Sequence, residues 1–127
     1  LPSEGVSGRV DFIQRKDFQM NDNDIFQKLF MIIESRKSES PDKSYVSSLM
    51  TKGIEKINSK IMEEAAEVCE AGIENDRNHT IYEICDLLFH TFVLAGYRNI
   101  PLQEIKAELE RRFGTSGLEE KAGRKVK

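Results

Sequence analysis

At 127 residues the chain has room for one domain with a single modest core, and a hydrophobic fraction of 39% without tryptophan suits a small helical protein or a subunit that completes its core by association. Acidic residues outnumber basic ones, 22 to 19, for a net charge of -3, which argues against a dedicated nucleic-acid binder while leaving room for a local basic pocket. No run reaches the ~18 apolar residues of a membrane span and the first residues have no apolar signal-peptide core, so the expectation is a cytoplasmic protein without a membrane partner.

Residues 1–20 hold glycines, a proline and scattered charge without sustained periodicity, and read as an arm or linker ahead of a helical domain over 21–127. The chain starts at Leu1 rather than Met, as a processed chain or a piece of a longer polypeptide would. After the capping stretch "NDND", Ile25, Leu29, Ile32 and Ile33 mark an amphipathic helix ending near Lys37. "SESPDKS" is a loop by composition, and "SYVSSLMTKG" reads as a short helix with Gly53 as a stop or kink. From Ile54, the positions Ile57, Ile61, Ala65, Val68 and Gly72 recur at helical spacing and predict a long helix broken by "ENDRNHT". Ile81 to Tyr97 is apolar nearly all round and predicts a buried helix. Pro101 opens a last helix carried by Leu102, Ile105, Leu109 and Phe113. No segment alternates with period two, so the fold is expected to be all-α. Cys69 and Cys85 show no metal-ligand spacing and read as two small core residues in a reducing compartment.

The acidic residues are the informative ones. "KIMEEAAEVCE" places Glu63, Glu64 and Glu67 close together in a helix, where like charges three and four residues apart repel by a few tenths of a kcal/mol. At ~100° per residue, Glu64 falls at the border of the apolar stripe, Glu67 one step round and Glu63 on the far side. On the following helix Glu83, Asp86 and His90 fall within about 60° of one another in an otherwise apolar setting. Taken alone, an acidic run is usually a solvated face, with Lys60 as an ordinary partner, and a single histidine is more often a satisfied core residue than a ligand. Buried carboxylates, however, are paired or bind a metal. Two helices joined by a short connection can bring Glu64, Glu67, Glu83 and Asp86 together, and such hard oxygen donors suit Mg²⁺ or Mn²⁺ rather than zinc.

Lys52, Lys56 and Lys60 step along the flank shared with Glu63 and Glu67, and Arg36, Lys37, Arg111 and Arg112 add further cations. A carboxylate-held metal beside such cations is what a polyphosphate ester requires. No Walker A or GxGxxG loop is present.

"EEAAE" followed by "EICD" resembles the EExxE and ExxD pattern of the all-α nucleoside triphosphate pyrophosphohydrolase superfamily that contains MazG and dimeric dUTPases. Within it, "ESRK", "SYVSSLMTKGIEKINSKIMEEAAE", "YEICDLLFHTFVLA" and "LERRFGTSGLEEKAGR" resemble the phosphoribosyl-ATP pyrophosphohydrolases of histidine biosynthesis, over about Asp24 to Arg124. Met62 departs from that branch, which often has glycine there. The resemblance implies a four- to five-helix MazG-like bundle completed by dimerisation. It implies Mg²⁺-dependent cleavage of phosphoribosyl-ATP between the alpha and beta phosphates, giving phosphoribosyl-AMP and pyrophosphate. By position it makes Glu64, Glu67, Glu83 and Asp86 the ligands, with Glu63 either a further ligand or the base; Glu64 is carried with Glu63 as catalytic. Arg36, Lys37, Lys52, Lys56, Lys60, His90, Arg111 and Arg112 are the candidate substrate contacts. In some relatives a phosphoribosyl-AMP cyclohydrolase is fused ahead of the domain, so functional coupling to that activity is expected, although no cyclohydrolase motif occurs here. The competing readings are a housecleaning pyrophosphatase for noncanonical nucleotides and a non-enzymatic helical module that needs no metal.

Overall fold

The computed structural model describes residues 25–113, together with 121 and 123. The expected arm at 1–20 and most of the "GTSGLEEKAGR" ending lie outside the described residues. Through 25–113 run helices α1 (Ile25–Arg36), α2 (Tyr45–Lys52), α3 (Ile54–Glu74), α4 (Arg77–Tyr97) and α5 (Leu102–Arg111). Among the described residues the fold is all-α, as the periodicity predicts.

Each boundary has a local cause. Ser44 caps α2 by accepting from the Ser47 amide at 3.1 Å. Gly53, with φ 94° and ψ -174°, lies between α2 and α3 in a conformation that side chains rarely adopt, so the chain turns sharply there. The α3–α4 break is shorter than the sequence pattern predicts. Asn75 takes the left-handed conformation that closes α3, and Asp76 caps α4 by accepting from the His79 amide at 3.1 Å. Arg77 to Thr80, expected in the break, therefore form the first turn of α4. Two capping residues suffice where the composition looked like a longer loop.

α3 and α4 form the central antiparallel hairpin, with α2 against α3, α1 against α4 and α2, and α5 against α1. The core gathers Ile33, Val46, Leu49, Ile57, Phe89, Phe92 and Val93. Phe30 and Phe26 approach Phe92 with ring centroids 4.7 and 5.7 Å away. This core occupies the amino-terminal part of α3 and the carboxy-terminal part of α4. The rest of the hairpin, toward Asn75, extends beyond it.

Three sequence expectations are corrected here. Gly72 is exposed and Ala71 takes the buried place on α3, because the inward-facing stripe follows Ile57, Ile61, Glu64, Val68 and Ala71 round the helix. Cys69 and Cys85 are exposed thiols, on the outward sides of α3 and α4, rather than core residues. Nor is α4 buried all round: Ile81, Tyr82, Ile84 and Leu88 are exposed, since among the described elements α1 and α3 cover only part of its circumference.

Candidate metal and catalytic site

Glu64 of α3 and Glu83 and Asp86 of α4 meet inside the hairpin, each offering a carboxylate oxygen within 4.8 Å of the others. They are 3%, 6% and 1% exposed. The i, i+3 spacing of Glu83 and Asp86 puts both on the inner face of α4, and the border position of Glu64 turns inward because α4 lies against it. Oε1 of Glu64 and Oε1 of Glu83 are buried without a hydrogen-bond partner among the described residues. Desolvated carboxylate oxygens facing one another cost several kcal/mol unless something positive joins them. The donor set, all carboxylate oxygen, fits a hard divalent cation.

Glu67 follows Glu64 on α3, half-buried, and stands outside the group formed by Glu64, Glu83 and Asp86, although both Glu64 and Glu83 act on its carboxyl. Burial, followed by repulsion from Glu64 and contact with the Glu83 carboxylate, pushes its pKa up to about 7. Protonation of Glu67 thus relieves in part the repulsion that a cation would relieve more fully.

Lys60, one turn before Glu64, sets its ammonium 3.0 Å from Glu63 Oε1 and 3.8 Å from Glu64 Oε2. Glu63 itself lies on the outer side, and its bond to Lys60 holds its carboxyl below the usual carboxylate range. Lys52 and Lys56 are exposed on the preceding turns of α2 and α3. The other expected cations are engaged elsewhere. Arg36 pairs with Glu39 at 2.8 Å, Lys37 with Glu34 at 3.0 Å and Asn99 at 3.1 Å, and Arg111 and Arg112 both clasp Glu108 on α5. Those two arginines hold the Glu108 carboxyl down to about 2.

His90 is fully buried. Its Nδ1 lies 2.8 Å from the Asp86 carbonyl oxygen and its Nε2 2.8 Å from the Tyr45 hydroxyl. A carbonyl only accepts, so Nδ1 carries the proton, and in the neutral ring Nε2 accepts from Tyr45. His90 thus links the Tyr45 hydroxyl to the carbonyl of Asp86, the residue that also supplies a carboxylate to the cluster.

One neighbour of the cluster escaped the sequence reading. His79 Nε2 lies 3.0 Å from Glu83 Oε2, and its Nδ1 3.4 Å from Glu74 Oε1. The Glu83 bond and then the Glu74 contact raise the histidine pKa. The i, i+4 spacing of His79 and Glu83 would have indicated this pair, had α4 been started at Arg77.

Fold and site together define an all-α protein with a desolvated carboxylate cluster between two antiparallel helices, suited to a hard divalent cation with lysines close by. The profile of the family described as "Phosphoribosyl-ATP pyrophosphohydrolase" matches residues 26–113, and the chain belongs to that family. Among its relatives, the phosphoribosyl-ATP pyrophosphatase of Geobacter metallireducens is 53% identical over 102 residues, covering 80% of this chain and 94% of that protein. That of Trichlorobacter lovleyi is 50% identical over 107 residues, with 84% and 99% covered. That of Methylococcus capsulatus is 46% identical over 103 residues, with 81% and 98% covered.

Proposed function

We propose that this chain hydrolyses phosphoribosyl-ATP to phosphoribosyl-AMP and pyrophosphate in histidine biosynthesis, and that it does so with Mg²⁺, or Mn²⁺ in its place. The observation that carries the reading is the buried cluster of Glu64, Glu83 and Asp86, in a chain whose relatives bear that activity in their names. Glu64, Glu67, Glu83 and Asp86 would hold the ion. When bound, a divalent cation neutralises phosphate oxygens and acidifies water.

The chain's own groups supply the rest. The alpha phosphorus is attacked in line by water and the leaving group is intact pyrophosphate. Glu63, kept ionised by Lys60, is available to accept the proton of that water. Lys52, Lys56 and Lys60 line the flank on which a polyphosphate would lie and neutralise its charge. Arg36, Lys37, Arg111 and Arg112 would reach a substrate by exchanging a surface carboxylate partner for phosphate. His90 serves by holding Tyr45 and the Asp86 backbone in place. The product phosphoribosyl-AMP then passes to a cyclohydrolase.

The working form in this reading is a homodimer. The part of the hairpin beyond the core exposes apolar residues along both helices, among them Met62 at 73% and Ile73 at 85%. A second copy would cover them.

Pyrophosphate release should be measured with phosphoribosyl-ATP, dUTP, dCTP and ATP, with and without Mg²⁺. The expected result is metal-dependent release with the highest kcat/KM for phosphoribosyl-ATP. Faster turnover of dUTP or dCTP would move the chain to the housecleaning enzymes. In ¹⁸O water the label should enter the monophosphate product. Label confined to pyrophosphate would overturn attack at the alpha phosphorus.

A further inference from the structure

His79 stands in the first turn of α4, one turn before Glu83, with its imidazole between the last residue of α3 and a buried carboxylate of the cluster. The geometry points to His79 as a positioning residue that fixes the Glu83 carboxylate for cation binding, bridging from Glu74 on the surface to Glu83 inside. The inference rests on the reading of Glu64, Glu83 and Asp86 as cation ligands.

A glutamate side chain is free at its end. Its terminal torsion is broad, so a carboxylate at the end of a Glu side chain does not select one orientation by itself. His79 Nε2 donates to Glu83 Oε2 at 3.0 Å. That occupies one oxygen and leaves Oε1, buried and without a partner among the described residues, for the space shared with Glu64 and Asp86. The other ring nitrogen faces Glu74 Oε1 at 3.4 Å, which orients the ring from the solvent side. A ligand whose orientation is set before the ion arrives loses less freedom when it binds, and hydrogen bonds to ligating groups commonly change metal affinity by about 10- to 100-fold.

The backbone at this point is held independently. The His79 amide donates to Asp76 Oδ1 at 3.1 Å, a cap that survives any replacement of the ring. Alanine is moreover a better helix former than histidine. Loss of the ring should therefore leave the helix intact and alter only what the ring does.

The test is equilibrium titration of the protein with Mn²⁺ alone, followed by the electron paramagnetic resonance signal of free ion, for wild type, His79→Ala and His79→Gln. Glutamine keeps an N–H that can reach a carboxylate four residues on. The expected result is a Kd raised about tenfold in His79→Ala and restored to within about threefold of wild type in His79→Gln. A His79→Ala Kd within about twofold of wild type, or a glutamine variant as weak as alanine, would overturn the positioning role while leaving the cation site intact. Wild type that binds no Mn²⁺ would instead remove the cation site itself, and the role of His79 with it.

Discussion

The carboxylates of the α3–α4 hairpin are arranged for more positive charge than the described residues supply. Glu64, Glu83 and Asp86 are buried together, and the ammonium of Lys60 sits closer to Glu63 than to Glu64. Glu67 registers the same imbalance through its raised pKa. A carboxyl held near 7 when folded, against 4.5 when unfolded, favours the protonated folded state. Its contribution to stability is fully present below about 4.5 and is lost as pH rises through about 7. Thermal melts in a chelator should accordingly show falling stability across this window, and millimolar Mg²⁺ should restore much of it. A flat profile without metal would speak against carboxylate crowding. Glu83→Gln, by removing one of the mutually repelling charges, should raise the metal-free melting temperature and abolish most of the gain from Mg²⁺. Much of this was readable beforehand: the ExxD pair in an apolar helix already required a partner. What one dimension could not give was the inward turn of Glu64, which depends on α4 lying against it, or the use of both His90 nitrogens inside the fold.

Helix boundaries decide which of these residues can meet. Period and punctuation located all five helices of residues 25–113, and Gly53 stands where the sequence predicts a stop. The one consequential shift is at the start of α4, where polar residues that resemble a loop are the first turn of the helix. Asp76 makes the difference, accepting through its side chain from His79 N–H and through its carbonyl from the Thr80 hydroxyl at 2.7 Å. Asp76→Ala should cost about 1 kcal/mol in denaturant unfolding, and amide exchange should rise over residues 77–80 before it rises elsewhere in α4. Uniform exchange along the helix would mean that packing, not the cap, secures that turn. Gly53 governs the other junction. At φ 94° and ψ -174°, a side chain is disfavoured whatever space surrounds it, so Gly53→Ala should destabilise by roughly 1–3 kcal/mol. A neutral substitution there would show that the α2–α3 turn can relax into an ordinary conformation.

At the scale of the molecule, the described residues do not cover the central hairpin. The composition already hinted at this, and an apolar α4 read as buried makes physical sense only if something beyond α1 and α3 lies against it. The exposed positions follow helical periods. Met62, Cys69 and Ile73 run along α3, and Ile81, Ile84, Cys85 and Leu88 along α4. Soluble monomers rarely leave contiguous apolar surface of this kind, whereas homodimer interfaces are built from it. Two glutamates introduced together, Ile73→Glu and Ile84→Glu, decide between these cases. On a monomer both sites are solvated, and the pair should change stability by no more than about 1 kcal/mol. In a dimer closed through this face, burying those charges without partners is prohibitive. Sedimentation velocity should then show twice the chain mass for wild type and a single chain for the double variant. The loss of activity should follow the loss of the dimer if the partner subunit helps to hold the substrate. A wild-type chain that sediments as a monomer at micromolar concentration, or a double variant that remains dimeric, would send the search for the covering surface elsewhere.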